Sequence, residues 1–197
     1  LAMIVGDYRE RIFAAAHGDY WRRLFCWPER IVEDPKGRLG MLMPSYPGHF
    51  FFHYGSVRED FLGIKDKEKE GKWFSTPANR LGRLHEQERG HWLNYLRICL
   101  NIARAVRRLH AAGLAHSDLS YKNVLIAPTV NRACVIDCDG LGVPGKYPPD
   151  VVGTPDFIAP EVVASAHLAR DDPKRSLPSI RTDRHALAVL IYQYLLL

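Results

Sequence analysis

Apolar positions fall into two unlike patterns along this chain. Between His91 and Ala112 they recur at three- and four-residue steps: Trp92, Leu96, Leu100, Ala103, Val106 and Leu109. That spacing predicts one face of a long helix, with Gly113 placed to end it. Elsewhere the apolar residues come in short runs bounded by turn residues. The runs Trp27–Val32 and Gly40–Met43 flank Asp34-Pro35-Lys36-Gly37, which is turn chemistry, and predict a β-hairpin. Asn123–Ala127 and Ala133–Ile136, separated by Pro128-Thr129-Val130-Asn131, predict a second. The first 23 residues are mixed and helix-permissive, interrupted at Gly6 and Gly18. A further helix is expected to begin near Asp183, after a loop over 139–160 rich in Gly and Pro. Residues 55–90 are polar, and the run Lys65-Asp66-Lys67-Glu68-Lys69-Glu70 at their centre reads as a solvated loop or helix face. No internal repeat is visible.

Composition narrows this picture only a little. The 197 residues, 47% apolar and 25% charged, are ordinary for one globular domain, with room for two lobes. A net charge of +5 favours an anionic ligand such as a nucleotide. No stripe of Lys and Arg with interleaved aromatics argues for nucleic acid. Cys26, Cys99, Cys134 and Cys138 lack paired ligand spacing and read as buried free thiols of a cytoplasmic protein. Neither a signal peptide nor an apolar run of the roughly 18 residues needed to span a membrane is present. The chain opens at Leu1 without a methionine and stops within the apolar run at Leu195-Leu196-Leu197, so it reads as a piece of a longer protein.

Three segments carry chemistry, in a fixed order. They are His116-Ser117-Asp118-Leu119-Ser120-Tyr121-Lys122-Asn123, then Ile136-Asp137, then Gly153-Thr154-Pro155-Asp156-Phe157-Ile158-Ala159-Pro160-Glu161. Following a long helix and bridged by a small hairpin, they resemble the catalytic loop, the metal-binding aspartate and the end of the activation segment of eukaryotic-like Ser/Thr protein kinases. The resemblance implies an α+β, protein-kinase-like bilobed fold. Residues 1–45 would be a partial N-lobe (the end of the helix C region and the last two strands). Residues 46–197 would be a mainly helical C-lobe, truncated within or after helix F.

Phosphoryl transfer needs positioned groups and neutralised charge more than covalent chemistry. Asp118 fits the carboxylate that accepts or orients the proton of the attacking hydroxyl. Asn123 and Asp137 supply the hard oxygens that magnesium prefers, shared with the phosphates of ATP. Asp137 is favoured over Asp139 because Cys134-Val135-Ile136 is the apolar strand before it, and choosing Asp139 would put a charge into an apolar slot. Asp139 stays as the alternative, or as a helper behind Asp137. Lys122 is placed to reach the γ-phosphate, or else simply faces solvent. By resemblance, Met43 is the gatekeeper, and the Pro44 carbonyl and Tyr46 N–H meet the adenine. Asp183 resembles the buried aspartate that holds the catalytic-loop backbone, and Glu161 a structural acid.

The departures matter as much. Ser117 stands where the family has an arginine that receives an activation-segment phosphate, and Thr154 is the sole serine or threonine between Asp139 and Glu161. Switching by Ser/Thr phosphorylation of that segment is therefore not expected. Ser120 replaces the usual lysine, and Cys138 replaces the ring that packs on the loop histidine. No glycine-rich phosphate loop and no strand lysine occur; if the chain starts within the helix that follows that strand, both would lie upstream of Leu1, and the alternative is a degenerate kinase that never had them. The wording Leu109-His110-Ala111-Ala112-Gly113-Leu114-Ala115-His116-Ser117-Asp118 is similar to a bacterial branch found in gene clusters linked to tellurite resistance, which implies a phosphatase-linked signalling partner. Three readings stay open: an active Ser/Thr protein kinase, a pseudokinase that binds nucleotide or scaffolds, and an aminoglycoside-type small-molecule phosphotransferase. Gly153–Glu161 argues against the last.

Overall fold

The predicted long helix is the axis of the molecule. In the computed structural model, which describes residues 1–14, 17–143, 153–169 and 171–196, it spans Trp92–Ala111. The other elements are α1 (Arg9–Phe13), α2 (Gly18–Arg22), β1 (Arg30–Glu33), β2 (Leu39–Leu42), α3 (Val57–Asp60), α4 (Pro77–Gly82) and α5 (Glu86–Arg89) before it. After it, as α6, come β3 (Val124–Ala127), β4 (Arg132–Val135), α7 (Pro160–Ser165) and α8 (Ile180–Leu196). Gly113 closes α6 at φ +78°, and the Leu114 amide donates to the Leu109 carbonyl at 3.0 Å.

The buried face of α6 differs from the expected one. Its seam is Tyr95, Ile98, Cys99, Ile102, Ala105, Val106 and Leu109, while Trp92 and Leu100 are exposed. The two stripes coincide at Val106 and Leu109 and diverge towards the N-terminus. There, burial of Tyr95 decides the phase, because its hydroxyl finds the Arg89 carbonyl and its ring packs on Phe74. Helix α8 and strand β4 lie against this seam. Helix α8 starts at Ile180, ahead of the expected Asp183, because Thr182 Oγ1 accepts the Ser179 amide at 2.8 Å and caps the turn there.

Both hairpins form as predicted, with different fates. Strands β1 and β2 pair antiparallel, Arg30 opposite Leu42 and Glu33 opposite Leu39. Asp34 Oδ1 accepts the Lys36 and Arg38 amides at 2.9 Å, and Gly37 takes φ +75°. That strand pair is largely exposed. Strands β3 and β4 pair Val124 with Val135 and Ala127 with Arg132. All four residues of β3 are buried, which is why the run is continuously apolar rather than alternating.

The described residues before Trp27 include a π-helical turn (Ile4–Tyr8) followed by α1 and α2. Ile4, Tyr8, Ile12, Phe13, Phe25 and Trp27 bury themselves with Leu109, Leu114, Val135 and Cys138. Two backbone bonds, Cys26 N–H to the Val135 carbonyl and Val135 N–H to the Leu24 carbonyl, seat this unit on β4.

Residues 55–90 are not the solvated stretch that their charge suggests. Lys65 to Glu68 are indeed exposed, but Phe74 and Leu84 are completely buried, and Lys69 turns inward. Its ammonium meets the Glu88 carboxylate at 2.7 Å, and that carboxylate also accepts the amides of His53 and Tyr54. The Ile126 amide donates to the Lys69 carbonyl at 2.9 Å, so the segment is a strap bound along β3. Charge alone hid this, because the pairing partner lies far along the sequence. At α3 the backbone is left-handed at Arg58, Glu59 and Asp60, and Asp60 caps the turn by accepting the Ser56, Ile64 and Lys65 amides. Of the predicted loop over 139–160, residues 144–152 lie outside the described residues. Among the described residues, no helix is long and apolar enough to cross a membrane.

Candidate active site

The turn after α6 is held from below by one carboxylate. Asp183, 2% exposed on α8, accepts the His116 amide at 2.7 Å, the Ser117 amide at 2.9 Å and a bond from His110 Nε2 at 3.0 Å. Ser117 sits at φ +71°, a conformation that costs a non-glycine residue energy and that these bonds stabilise. This is the role expected of Asp183. His116 Nε2 donates to the Ile136 carbonyl at 2.9 Å, and the Ile136 amide donates to the Asn123 carbonyl at 3.0 Å. The loop 116–123 is thereby fixed against the end of β4, one residue before Asp137.

Asp118 stands at the centre of this frame. Its Oδ1 accepts the Thr154 hydroxyl at 2.7 Å, and its Oδ2 accepts Asn123 Nδ2 at 3.1 Å. The same Asn123 amide nitrogen reaches the Asp118 carbonyl at 2.7 Å, and Thr154 also contacts Ser120 Oγ at 3.3 Å. Gly153, at φ +118°, lets the segment 153–161 approach the loop: a side chain there would be strained at this φ and would crowd Ile158 at 3.2 Å. Tyr121 sets its ring edge-on to Phe157 at 5.0 Å. Two sequence segments more than thirty residues apart therefore converge on one carboxylate.

Asp137 follows with φ +61° and faces solvent, while Cys138 is fully buried. Crowding by protein, then the neighbouring Asp139 charge, push the Asp137 carboxyl above the ordinary carboxylate range, and Asp118 adds to this. His116 acts in the opposite direction. Asn123 spends its NH2 on Asp118, which leaves its amide oxygen to ligate a cation. These are hard oxygen ligands, and a divalent cation would relieve the Asp137–Asp139 repulsion, so the residues fit magnesium. Among the described residues no three acidic, His or Cys side chains converge on one point, so such an ion would take its remaining ligands from phosphate oxygens and water.

The expected adenine side sits around Cys26. Met43 and Tyr46 pack beside Cys26, Phe50, Leu125 and Cys134. A cavity of about 130 Å³ runs past Arg22, Phe25, Cys26, Pro44, Tyr46 and Cys134. Met43 packs into the cluster and is not part of this wall. The Pro44 carbonyl takes a long contact from the Cys26 thiol at 3.6 Å, which uses one of its two lone pairs. Burial, then the Cys26 and Cys134 thiols, push the Tyr46 hydroxyl up to about 12. Arg22, Cys26 and Cys134 were missed as wall residues. The backbone pairing of Cys26 with Val135 brings them together, and no local pattern announces it. All four cysteines are free and buried, as expected. Lys122 is exposed and lines a separate cavity of about 400 Å³ with Lys72, Trp73, Asn79, Tyr121 and Gln193.

Residues 69–140 match the lipopolysaccharide kinase (Kdo/WaaP) family. A dual serine/threonine and tyrosine protein kinase of Apis mellifera is 36% identical over 80 residues, covering 37% of this chain and 7% of that protein. The protein of the same description from Gallus gallus is 37% identical over 67 residues, covering 34% and 7%. The chain thus spans a small part of these curated relatives. Among solved structures, a rhoptry kinase from Toxoplasma gondii superposes with a TM-score of 0.56 at 17% identity, covering 94% of this chain and 47% of that one. A Toxoplasma gondii rhoptry antigen kinase domain gives 0.54 at 16% identity, covering 94% and 51%. The fold of this chain is a partial, bilobed, protein-kinase-like α+β fold.

Proposed function

We propose that this chain is the catalytic part of an ATP-dependent phosphotransferase that phosphorylates serine or threonine hydroxyls of a protein. The observation that carries the reading is Asp118, aimed by Thr154 on one oxygen and by Asn123 on the other. A carboxylate so fixed can orient an attacking hydroxyl and take its proton, a contribution of about 10²–10⁴ in rate. Asn123 and Asp137 are the residues for magnesium, with Asp139 behind Asp137. The bound ion would neutralise charge on the transferring phosphoryl group. Lys122 is available to the phosphate or the acceptor. Pro44 and Tyr46 serve the adenine, with Met43 packed behind them. In this reading residues 1–45 belong to the smaller lobe and 46–197 to the larger.

The protein acceptor and the bacterial branch rest on the motif resemblance, and the segment Gly153–Glu161 beside Asp118 supports a peptide. The match of residues 69–140 to lipopolysaccharide kinases favours a second reading, transfer to a sugar hydroxyl. The test is magnesium-dependent transfer from labelled ATP by the protein at its natural length, offered serine and threonine peptides and hydroxylated glycans, with Asp118→Asn beside it. Peptide labelling that disappears in Asp118→Asn supports the proposal. Labelling of glycan alone supports the second reading, and bound ATP without transfer to either means a pseudokinase.

A further inference from the structure

The strap and the loop that carries Asp118 border a second, open cavity, and two lysines line it. Lys72 from the strap and Lys122 from the loop both line the cavity of about 400 Å³, with Trp73, Asn79, Tyr121 and Gln193. The juxtaposition is built into the backbone. The Lys72 amide donates to the Tyr121 carbonyl at 3.2 Å. Gly71 makes this approach possible: a Cβ there would lie 2.9 Å from the Tyr121 carbonyl oxygen and 2.0 Å from the Tyr194 hydroxyl. A side chain at Gly71 would push the strap away from the loop, and both lysines line the cavity between them.

The available charge is positive. Glu70 engages Lys72 at 2.8 Å, using one of three ammonium donors, and no acid is paired with Lys122 among the described residues. The Lys72 ammonium also lies 5.6 Å from the centre of the Trp73 ring. Gln193 from α8 contributes an amide whose Oε1 is buried without a hydrogen-bond partner. A buried unpaired acceptor is costly and is relieved by a donor arriving from outside. Two ammonium groups, an aromatic face and an amide acceptor suit an extended peptide with carboxylate side chains and backbone N–H groups. The cavity also opens next to Tyr121, whose ring meets Phe157 of the segment 153–161.

We propose that this cleft selects the acceptor, admitting protein segments with Asp or Glu flanking the hydroxyl and rejecting basic ones. The proposal rests on the protein-acceptor reading above and names its substrate class. Lys122 then acts on the acceptor rather than on the γ-phosphate.

The test is binding, followed by transfer. Two peptides carrying alanine at the acceptor position, one flanked by Asp and Glu and one by Lys and Arg, are titrated against the protein by Trp fluorescence and calorimetry. The acidic peptide is expected to bind about tenfold more tightly, and the gap to shrink with added salt. Lys72→Glu is expected to abolish or reverse the preference, with an unchanged circular dichroism spectrum and melting temperature as the control for folding. Lys72→Arg is expected to keep it. Serine versions then report transfer, where the preference should appear in KM more than in kcat. Equal binding of the two peptides overturns the proposal, as does a preference that survives Lys72→Glu or the binding of an anionic sugar in place of either peptide. Acid-selective binding lost in Lys72→Glu, without transfer from ATP, would uphold the cleft and overturn the kinase reading.

Discussion

Lys69 and Glu88 meet at 2.7 Å with side chains 6% and 2% exposed, and the Glu88 carboxylate also takes two backbone amides. Such a pair gains little net energy over an apolar contact, yet removing one member strands the other charge in the interior. Lys69→Met is therefore expected to destabilise the fold by about 3–5 kcal/mol. Lys69→Met combined with Glu88→Gln removes both charges but keeps an oxygen for His53 and Tyr54, so it should cost less than Lys69→Met alone. Urea midpoints of the three proteins measure this, and a double variant less stable than the single would contradict it.

Asp60 gives a pH dependence with a definite sign. Burial pushes its carboxyl up, but the amides of Lys65, Ser56 and Ile64 outweigh that and hold it at about 2. A carboxyl held below its unfolded value stabilises the fold above that value and loses its contribution as pH falls towards 2. Asp60→Asn should thus be less stable than the parent at neutral pH, with the gap closing under acid. Thermal melts from pH 7 down to pH 2 read the difference directly.

Thr154 is a positioning residue for Asp118. Thr154→Val keeps the shape and removes the hydroxyl, at a stability cost of about 1 kcal/mol. If Asp118 is the base, kcat should fall while the KM for ATP holds, and Thr154→Ser should restore most of it. A fall in KM alone, or no effect in either variant, would remove Thr154 from the mechanism.

Asp183 supports the loop from its buried place on α8. Asp183→Ala orphans two buried amides, at about 1–3 kcal/mol each, besides the bond to His110. Hydrogen exchange at His116 and Ser117 should accelerate strongly in this variant, while exchange along β3 changes only with global stability. Uniform acceleration everywhere would mean that Asp183 acts on the fold as a whole.

How much of this was legible in the sequence depended on how local the cause was. The loop 116–123, the hairpin turn at Asp34 and the stop at Gly113 are short-range chemistry, and each formed where its residues suggested. Asp183 was recognisable because the motif resemblance carried it. The strap was not, because Lys69 reads as one charge among six until Glu88 arrives beside it. Nor was the seam of α6, where Tyr95 competes with Trp92 and only the packed neighbours decide. The cavity walls at Arg22, Cys26 and Lys72 depend on pairing between distant backbones, and no pattern of spacing encodes that.

The bonds from Asp183 to His116 and Ser117 span 67 and 66 residues. During synthesis the loop emerges well before the helix that carries its anchor. At about 5–20 residues per second, several seconds pass in which those two amides have no internal acceptor and Ser117 has nothing to hold its left-handed turn. The bonds to β4 can form earlier, but the anchor at His116 and Ser117 closes only when α8 docks on α6. A ribosome paused between the two would display a chain with its strap residues made and its proposed base not yet set.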